Sequence, residues 1–356
     1  MMSRTVRTVV GLATVSVLAS ACSLSGGDSG GSSASSDQQT PTVTLVTHDS
    51  FAAPQDVLDA FQRQSGIKLK ILKSGDAGAL TNKLVLTKGS PIGDVAYGVD
   101  NTFASRALNE GVFQPYTSPE ADRGPQRYSV DPQHRLSAVD LGDVCVNIDP
   151  AYFASKGLPE PKSYDDLADP KYKDLTVAES PATASPGLAF LLGTVAKYGE
   201  DGWKGYWQKL KDNGLKTVSG WEEAYTKDFS GSSGKGPRPI VVSYASSPAA
   251  EVGEDGKPRT KALLDTCFRQ VEYAGVLTNS KQIPQAQKVV DFLLSQQFQT
   301  TVAANMYVYP ARQGVELPAG WATAAPLPQA PATMPADKVQ AGREKWIGEW
   351  RSLMGA

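Results

Sequence analysis

Ile67, Leu69 and Ile71 alternate with Lys68 and Lys70, the period-two signature of a half-buried strand. Just before them, Val57, Leu58 and Phe61 fall on one face of a helical pattern that Gly66 ends. The pairing recurs. Val43 to Thr47 and Asp94 to Val99 read as strands, Ala79 to Lys88 and Asn101 to Asn109 as helices. A second set begins with strands at Val144 to Ile148 and Leu175 to Ala178, the latter leading through Ser185-Pro186 into a helix to about Tyr198. Another helix starts at Ser219. Pro239 to Tyr244 reads as a strand leading through Ser247-Pro248 into a helix. Phe268 to Val276 again looks β-like, and Gly231 to Pro239 reads as a loop. One long helix is expected over about Pro284 to Ala304 and a last amphipathic one over about Ala336 to Leu353. Strands alternating with helices of this length build mainly parallel sheets flanked by helices, so an α/β chain of two lobes is expected. Ligands of such sheets sit at the carboxyl ends of the strands, in a cleft between lobes.

The amino terminus follows another pattern. Arg4 and Arg7 precede an apolar run, Val9 to Ala21, of about 13 residues, short of the roughly 20 that cross a membrane. A basic start with a short apolar core reads as a signal peptide, residues 1–21. It ends Ala19-Ser20-Ala21-Cys22, small residues before a cysteine, the pattern at which bacterial lipoprotein precursors are lipidated. The motif commonly has Leu where Ala19 stands. Ser23 to Thr40 is nearly all Gly, Ser and polar residues, so residues 22–41 read as a lipidated Cys22 and a flexible tether.

The chain carries 35 Lys and Arg against 37 Asp and Glu. Without Arg4 and Arg7 the balance is 33 against 37, a net of −4. A weakly acidic surface speaks against a nucleic-acid partner. With Cys22 given to lipid, Cys145 and Cys267 remain. Outside the cytoplasm such a pair is expected to bond, the alternative being two buried thiols.

Catalytic chemistry is sparsely represented. His48 and His134 lie far apart, and no nucleophile elbow, phosphate-cradling glycine loop or zinc spacing occurs. Binding chemistry is better supplied. Pro181 to Gly187, Ser219 to Tyr225 and Ser243 to Pro248 each place small hydroxyl residues before a helix start. Ser185 and Ser247 fit cap positions with proline behind them, and Ser219 with Glu222 has capping-box spacing. Helix starts expose amide N–H groups that receive anions. Caps usually do no more than end helices, so one alone would carry little. The aromatics sharpen the picture. Trp221 stands in a polar first turn with Tyr225 on the same face, Tyr244 ends a strand, and Tyr307 and Tyr309 follow the long helix. Tyr309, Trp203 and Trp207 read as core, whereas Trp221 and Tyr244 read as ring faces for an organic cation.

At these residues the chain resembles the thiamine-binding components of bacterial ABC importers. Thr47 to Ala52 (THDSFA) is similar to that family's Tyr-Asp-Ser-Phe-Ala, and Gly98 to Asn101 (GVDN) to its Gly-Leu-Asp-Asn. SPGLAFLL, SGWEEAY, SYASSPA and the carboxyl-terminal LPAGW with REKWIGEWR continue the resemblance in order, from Val43 to Arg351. The resemblance implies the two-lobed periplasmic-binding-protein fold of the second type. Residues 42–140 would form the first part of lobe 1, 141–270 lobe 2, and 271–356 the return to lobe 1. It implies thiamine or its mono- or diphosphate as ligand and no cofactor. It also implies a permease and an ATPase as partners; a monomer is expected, and the lipid on Cys22 would hold it at the outer face of the cell membrane. The positions matching the family's ligand contacts are Asp76, Ala77, Asp100, Ala184, Ser185, Trp221, Tyr244, Ala245, Ser246, Ser247 and Tyr307. Trp221, Tyr244 and Tyr307 would stack on the thiazolium and aminopyrimidine. Asp76 or Asp100 would offset the charge, and Ser185, Ser246 and Ser247 would meet the hydroxyethyl end or its phosphate. His48 stands where the family often has tyrosine. Ala184 and Ala245 replace hydroxyl residues, and a short tryptophan-bearing insertion is missing between Ala53 and Asp56.

Two other functions compete. An iron(III)-binding protein of the same fold would need hard oxygen ligands such as neighbouring tyrosines, and Tyr244 is followed by Ala245. An extracytoplasmic hydrolase would need a nucleophile and base that the sequence does not bring together.

Overall fold

The computed structural model describes residues 40–124 and 128–355. Cys22, the leader and most of the tether lie outside the described residues.

Two mixed sheets organise the chain. Lobe 1 holds β1 (Thr42–Thr47), β2 (Lys68–Lys73), β3 (Val95–Asp100) and β4 (Ser137–Leu141). Lobe 2 holds β5 (Val144–Ile148), β6 (Thr176–Glu179), β7 (Lys216–Val218), β8 (Ile240–Tyr244) and β9 (Lys261–Phe268). The chain then returns to lobe 1 as β10 (Val271–Val276) and β11 (Tyr309–Pro310). The lobe 1 order is β11-β4-β10-β3-β1-β2 and the lobe 2 order β7-β6-β8-β5-β9. β1 runs parallel to β2 and β3, and β6 parallel to β7 and β8, while β10 and β5 are antiparallel to both of their neighbours. The β-like stretch around Phe268 is therefore two strands in different sheets, with the crossover at Arg269 and Gln270. The outgoing crossover lies beside it at Gly142 and Asp143. The Gly142 amide donates to the Gln270 carbonyl at 3.1 Å, and Arg269 pairs with Asp143.

The helices are α1 (Gln55–Ser65), α2 (Ala77–Leu86), α3 (Ala104–Asn109), α4 (Pro150–Lys156), α5 (Tyr164–Leu167), α6 (Ser185–Asp212), α7 (Trp221–Glu223), α8 (Ile283–Leu294), α9 (Gln296–Met306), α10 (Trp321–Ala324) and α11 (Ala336–Met354). α6 continues past Tyr198 through a kink at Gly199. Where one helix was expected over Pro284 to Ala304, Ser295 turns extended and its hydroxyl accepts from the Phe298 amide at 3.3 Å, so it ends α8 and caps α9. A local cap overrides a continuous apolar pattern there. Trp203, Trp207 and Tyr309 are buried in the core. No helix among the described residues is long and apolar enough to cross a membrane.

Cys145 on β5 and Cys267 on β9 form a disulfide between neighbouring strands of lobe 2, 122 residues apart in sequence. α11 packs on both α6 and α3, so it touches both lobes. Lys211 of α6 donates to the Leu353 carbonyl at 2.7 Å, and Arg106 of α3 pairs with Glu344 at 3.4 Å.

Candidate functional site

The carboxyl ends of β1, β2, β3, β6 and β8 converge between the lobes. A cavity of about 280 Å³ lies there. Aromatic rings line it from lobe 2: Trp221 and Tyr225, one helical turn apart, and Tyr244 at the end of β8. Lobe 1 contributes His48, Ser50, Asp76 and Glu272, and Met306, Tyr307 and Val308 contribute from the end of α9. Thr226, Ser233, Ser247, Ala250 and Glu251 complete the wall.

Trp221 is positioned by its neighbours. Its ring stacks on Tyr225 at 4.8 Å and 14° and tilts against Tyr244 at 6.2 Å. Its indole N–H donates to the Ser243 hydroxyl at 2.8 Å, and that hydroxyl lies 2.7 Å from the Ser247 hydroxyl. A satisfied indole at a wet, half-buried edge leaves an apolar face for a flat ligand. Tyr307 takes a left-handed backbone conformation at the end of α9 and stacks parallel to Trp321 at 6.4 Å, which leaves it partly exposed in the wall.

The three helix starts differ from the sequence expectation. Ala184, not Ser185, is the cap of α6, and Ser185 is its first residue. Gly220, not Ser219, precedes α7, and the Ser219 hydroxyl pairs with Glu223 at 3.2 Å instead of capping. Ser247 opens only a single 3₁₀ turn, Ser247 to Ala250, with Ser246 before it. At the first two, a carboxylate of the other lobe takes the capping role. Asp76, at the start of α2, accepts from the Ala77 amide at 2.7 Å, the Ser185 amide at 3.2 Å and the Trp221 amide at 3.1 Å. One lobe 1 carboxylate thus serves its own helix and two helix starts of lobe 2, where anions are favoured.

Backbone approach helps to make this possible. The amides of Gly78 and Ala79 both donate to the Thr183 carbonyl at 3.1 Å. A Cβ on Gly78 would come within 2.7 Å of the Phe103 ring and 2.9 Å of the Thr183 backbone, so only glycine permits the contact. Ser50 reaches across to Glu222 at 3.1 Å. The lobes are closed on each other at this edge of the cleft.

The floor is acidic. The strand register sets Glu272 of β10 opposite Asp100 on β3 and Asp140 on β4, a row of three carboxyls across adjacent strands. Like charges in such a row repel. Burial is the chief cause that pushes Asp100 up to about 7, and it drives Asp140 and Glu179 well above the carboxylate range. Burial also raises Asp76, against the three amide bonds that favour its charge. Burial acts the same way on Glu272, but the facing His48, with help from Gln270 and Tyr97, outweighs it and holds Glu272 low. Burial would lower His48. Glu272, 3.4 Å away, and the more distant Asp76 and Asp140 prevail and push it up to about 9. Gly98, at φ 107°, leaves the room His48 needs, since a Cβ there would meet its ring at 2.4 Å.

His48, Asp76, Trp221, Tyr244, Ser247 and Tyr307 line the cavity. Asp100 does not face it. That carboxylate is fully buried, accepting from the Thr102 amide at 2.7 Å and hydroxyl at 2.6 Å and from the Ser185 hydroxyl. Ser185 is correspondingly withdrawn from the ligand space. Ala77, Ala184, Ala245 and Ser246 are buried behind the lining. Glu272, Glu251, Ser50 and Met306 were not singled out in the sequence. Glu272 sits in a fully buried strand with no motif around it, and only a charged residue in such a strand could have signalled it.

Two α/β lobes joined by adjacent crossovers, with an aromatic and acidic cleft between them, define a solute-binding protein. The chain belongs to the bacterial extracellular solute-binding protein family, whose model matches residues 90–337. It is 30% identical over 325 residues to the thiamine-binding periplasmic protein of Brucella suis biovar 1 (strain 1330), covering 88% of this chain and 92% of that one. It is 31% identical over 322 residues to the thiamine-binding periplasmic protein of Escherichia coli (strain K12), covering 87% and 93%. A solved structure described as a periplasmic thiamin binding protein superposes with a TM-score of 0.78 at 29% identity, covering 89% of this chain and 97% of that one.

Proposed function

We propose that this protein captures thiamine in the interlobe cleft and delivers it to the permease and ATPase of an ABC importer. The observation that carries this reading is the pairing of an aromatic wall, Trp221, Tyr225 and Tyr244, with the carboxylates Asp76 and Glu272 in one cavity. Thiamine is a flat aminopyrimidine joined to a permanently cationic thiazolium. Ring faces attract such a cation by about 2 kcal/mol where water is excluded. Facing carboxylates, costly when buried alone, are stabilised by it. The relatives named above are described as thiamine-binding, and they align over most of their length.

The reading assigns binding, not catalysis, to the site. Ala245, buried directly after Tyr244, occupies the place a second tyrosine ligand would need for iron(III). Cys22 is proposed to carry lipid, so the domain works outside the cytoplasm on a tether to the membrane.

Titration calorimetry on protein lacking residues 1–22 tests the ligand. Thiamine is expected to bind with submicromolar affinity and to quench tryptophan fluorescence. Trp221→Ala is expected to weaken binding tenfold or more. No heat with thiamine or either phosphate would sink the proposal.

A further inference from the structure

We infer that the cleft selects the unphosphorylated thiamine cation and rejects its phosphate esters, with Asp76 and Glu251 as the discriminating groups. The inference rests on the thiamine reading and narrows it.

A phosphate ester brings about −1.5 to −2 charges at neutral pH and asks for amides, hydroxyls or cations to meet them. The amides at two of the three helix starts are already engaged. The helix starts at Ser185 and Trp221, the natural places for a phosphate between these lobes, both donate to Asp76. An ester could use them only by displacing a carboxylate whose own backbone amide bond, from Ala77, holds it there. Hydroxyls are scarce on that side. Ala184 and Ala245 carry none, the Ser185 hydroxyl is spent on Asp100, and Ser246 is buried.

Charge gives the same answer. Among the described residues that line the cavity there is no lysine or arginine. The one basic group, His48, faces Glu272 at 3.4 Å. Three lining residues are acidic: Asp76, Glu272 and, on the lobe 2 wall, Glu251. Glu251 is partly buried and lines the same wall as Tyr225. Wherever a phosphate is placed in about 280 Å³, it meets carboxylates, and the one cationic side chain, His48, is already paired with Glu272. The bare cation meets a lining in which three carboxylates stand against the single basic group, His48.

The test is calorimetry at pH 7.5 with thiamine, thiamine monophosphate and thiamine diphosphate. Thiamine is expected to bind at least tenfold tighter than the monophosphate, with the diphosphate weaker still. Either ester binding within threefold of thiamine overturns the inference while leaving the thiamine reading intact. Heat from none of the three removes both, a different result. Glu251→Lys is expected to shift the ratio of thiamine to monophosphate affinity at least tenfold toward the ester. Glu251→Gln should shift it the same way by less, and thermal unfolding verifies that each variant is folded. An unchanged ratio in both folded variants overturns the role of Glu251.

Discussion

His48 and Glu272 form the ion pair on which the cleft floor turns. A histidine whose folded pKa lies near 9, above its ordinary 6.5, contributes stability fully present below pH 6.5 and lost as pH rises through 9. The unfolding midpoint is therefore expected to fall between pH 6.5 and 9. His48→Gln should flatten that fall, as measured by thermal denaturation across the range. An equal slope in the variant would place the titration elsewhere. The residues that line the cavity divide by how they could be read. Trp221 and Tyr244 were legible because a large ring in a polar turn or at a strand end has no core to fill. Asp76 and His48 were legible only through the resemblance. Glu272 and Glu251 were not legible, since each acquires its setting from a partner distant in sequence, His48 and Tyr225. Asp100 was misplaced for the same reason. Its strand end does point toward the other lobe, but Ser185 meets it there and seals it off.

At the scale of elements, the periodicities located β1, β2, β3, β5, β6, β8 and β10 and missed β4, β7, β11 and all but the end of β9. β4, β7 and β11 are short pieces whose pairing is decided by neighbours already in place. The break at Ser295 shows the opposite limit, one hydroxyl cap dividing an otherwise unbroken apolar pattern. The disulfide belongs to this scale too. It staples β5 to β9 inside lobe 2 and closes a long loop, so it restricts the unfolded chain more than the folded one. Replacing Cys145 and Cys267 together by alanine is expected to cost about 2–4 kcal/mol in urea denaturation. Ligand affinity should stay nearly unchanged, since neither cysteine lines the cavity. A loss of affinity at full folding would mean that the staple shapes the Tyr244 end of β8.

For the molecule as a whole, the proposed anchor has a direct test. The full-length chain expressed in a bacterium with lipoprotein processing is expected to partition with membranes, and Cys22→Ala to appear in the soluble fraction. Intact-mass measurement should show the acyl chains on the first and not the second. Membrane partition of the alanine variant would assign the attachment to something other than Cys22. Closure of the two lobes is the other property of the whole. The crossovers are zipped by Gly142 with Gln270 and by Asp143 with Arg269, and α11 bridges the lobes by packing on α3 and α6.

The three amides gathered on Asp76 have a consequence for time as well as for shape. Two of those bonds span the lobes, so the lobes separate at the Asp76 edge of the cleft only when both are broken. If ligand enters by that edge, its arrival rate governs capture only when it is scarce. When it is abundant, the observed association rate is expected to level off at the rate at which Asp76 releases Ser185 and Trp221, which stopped-flow fluorescence would read.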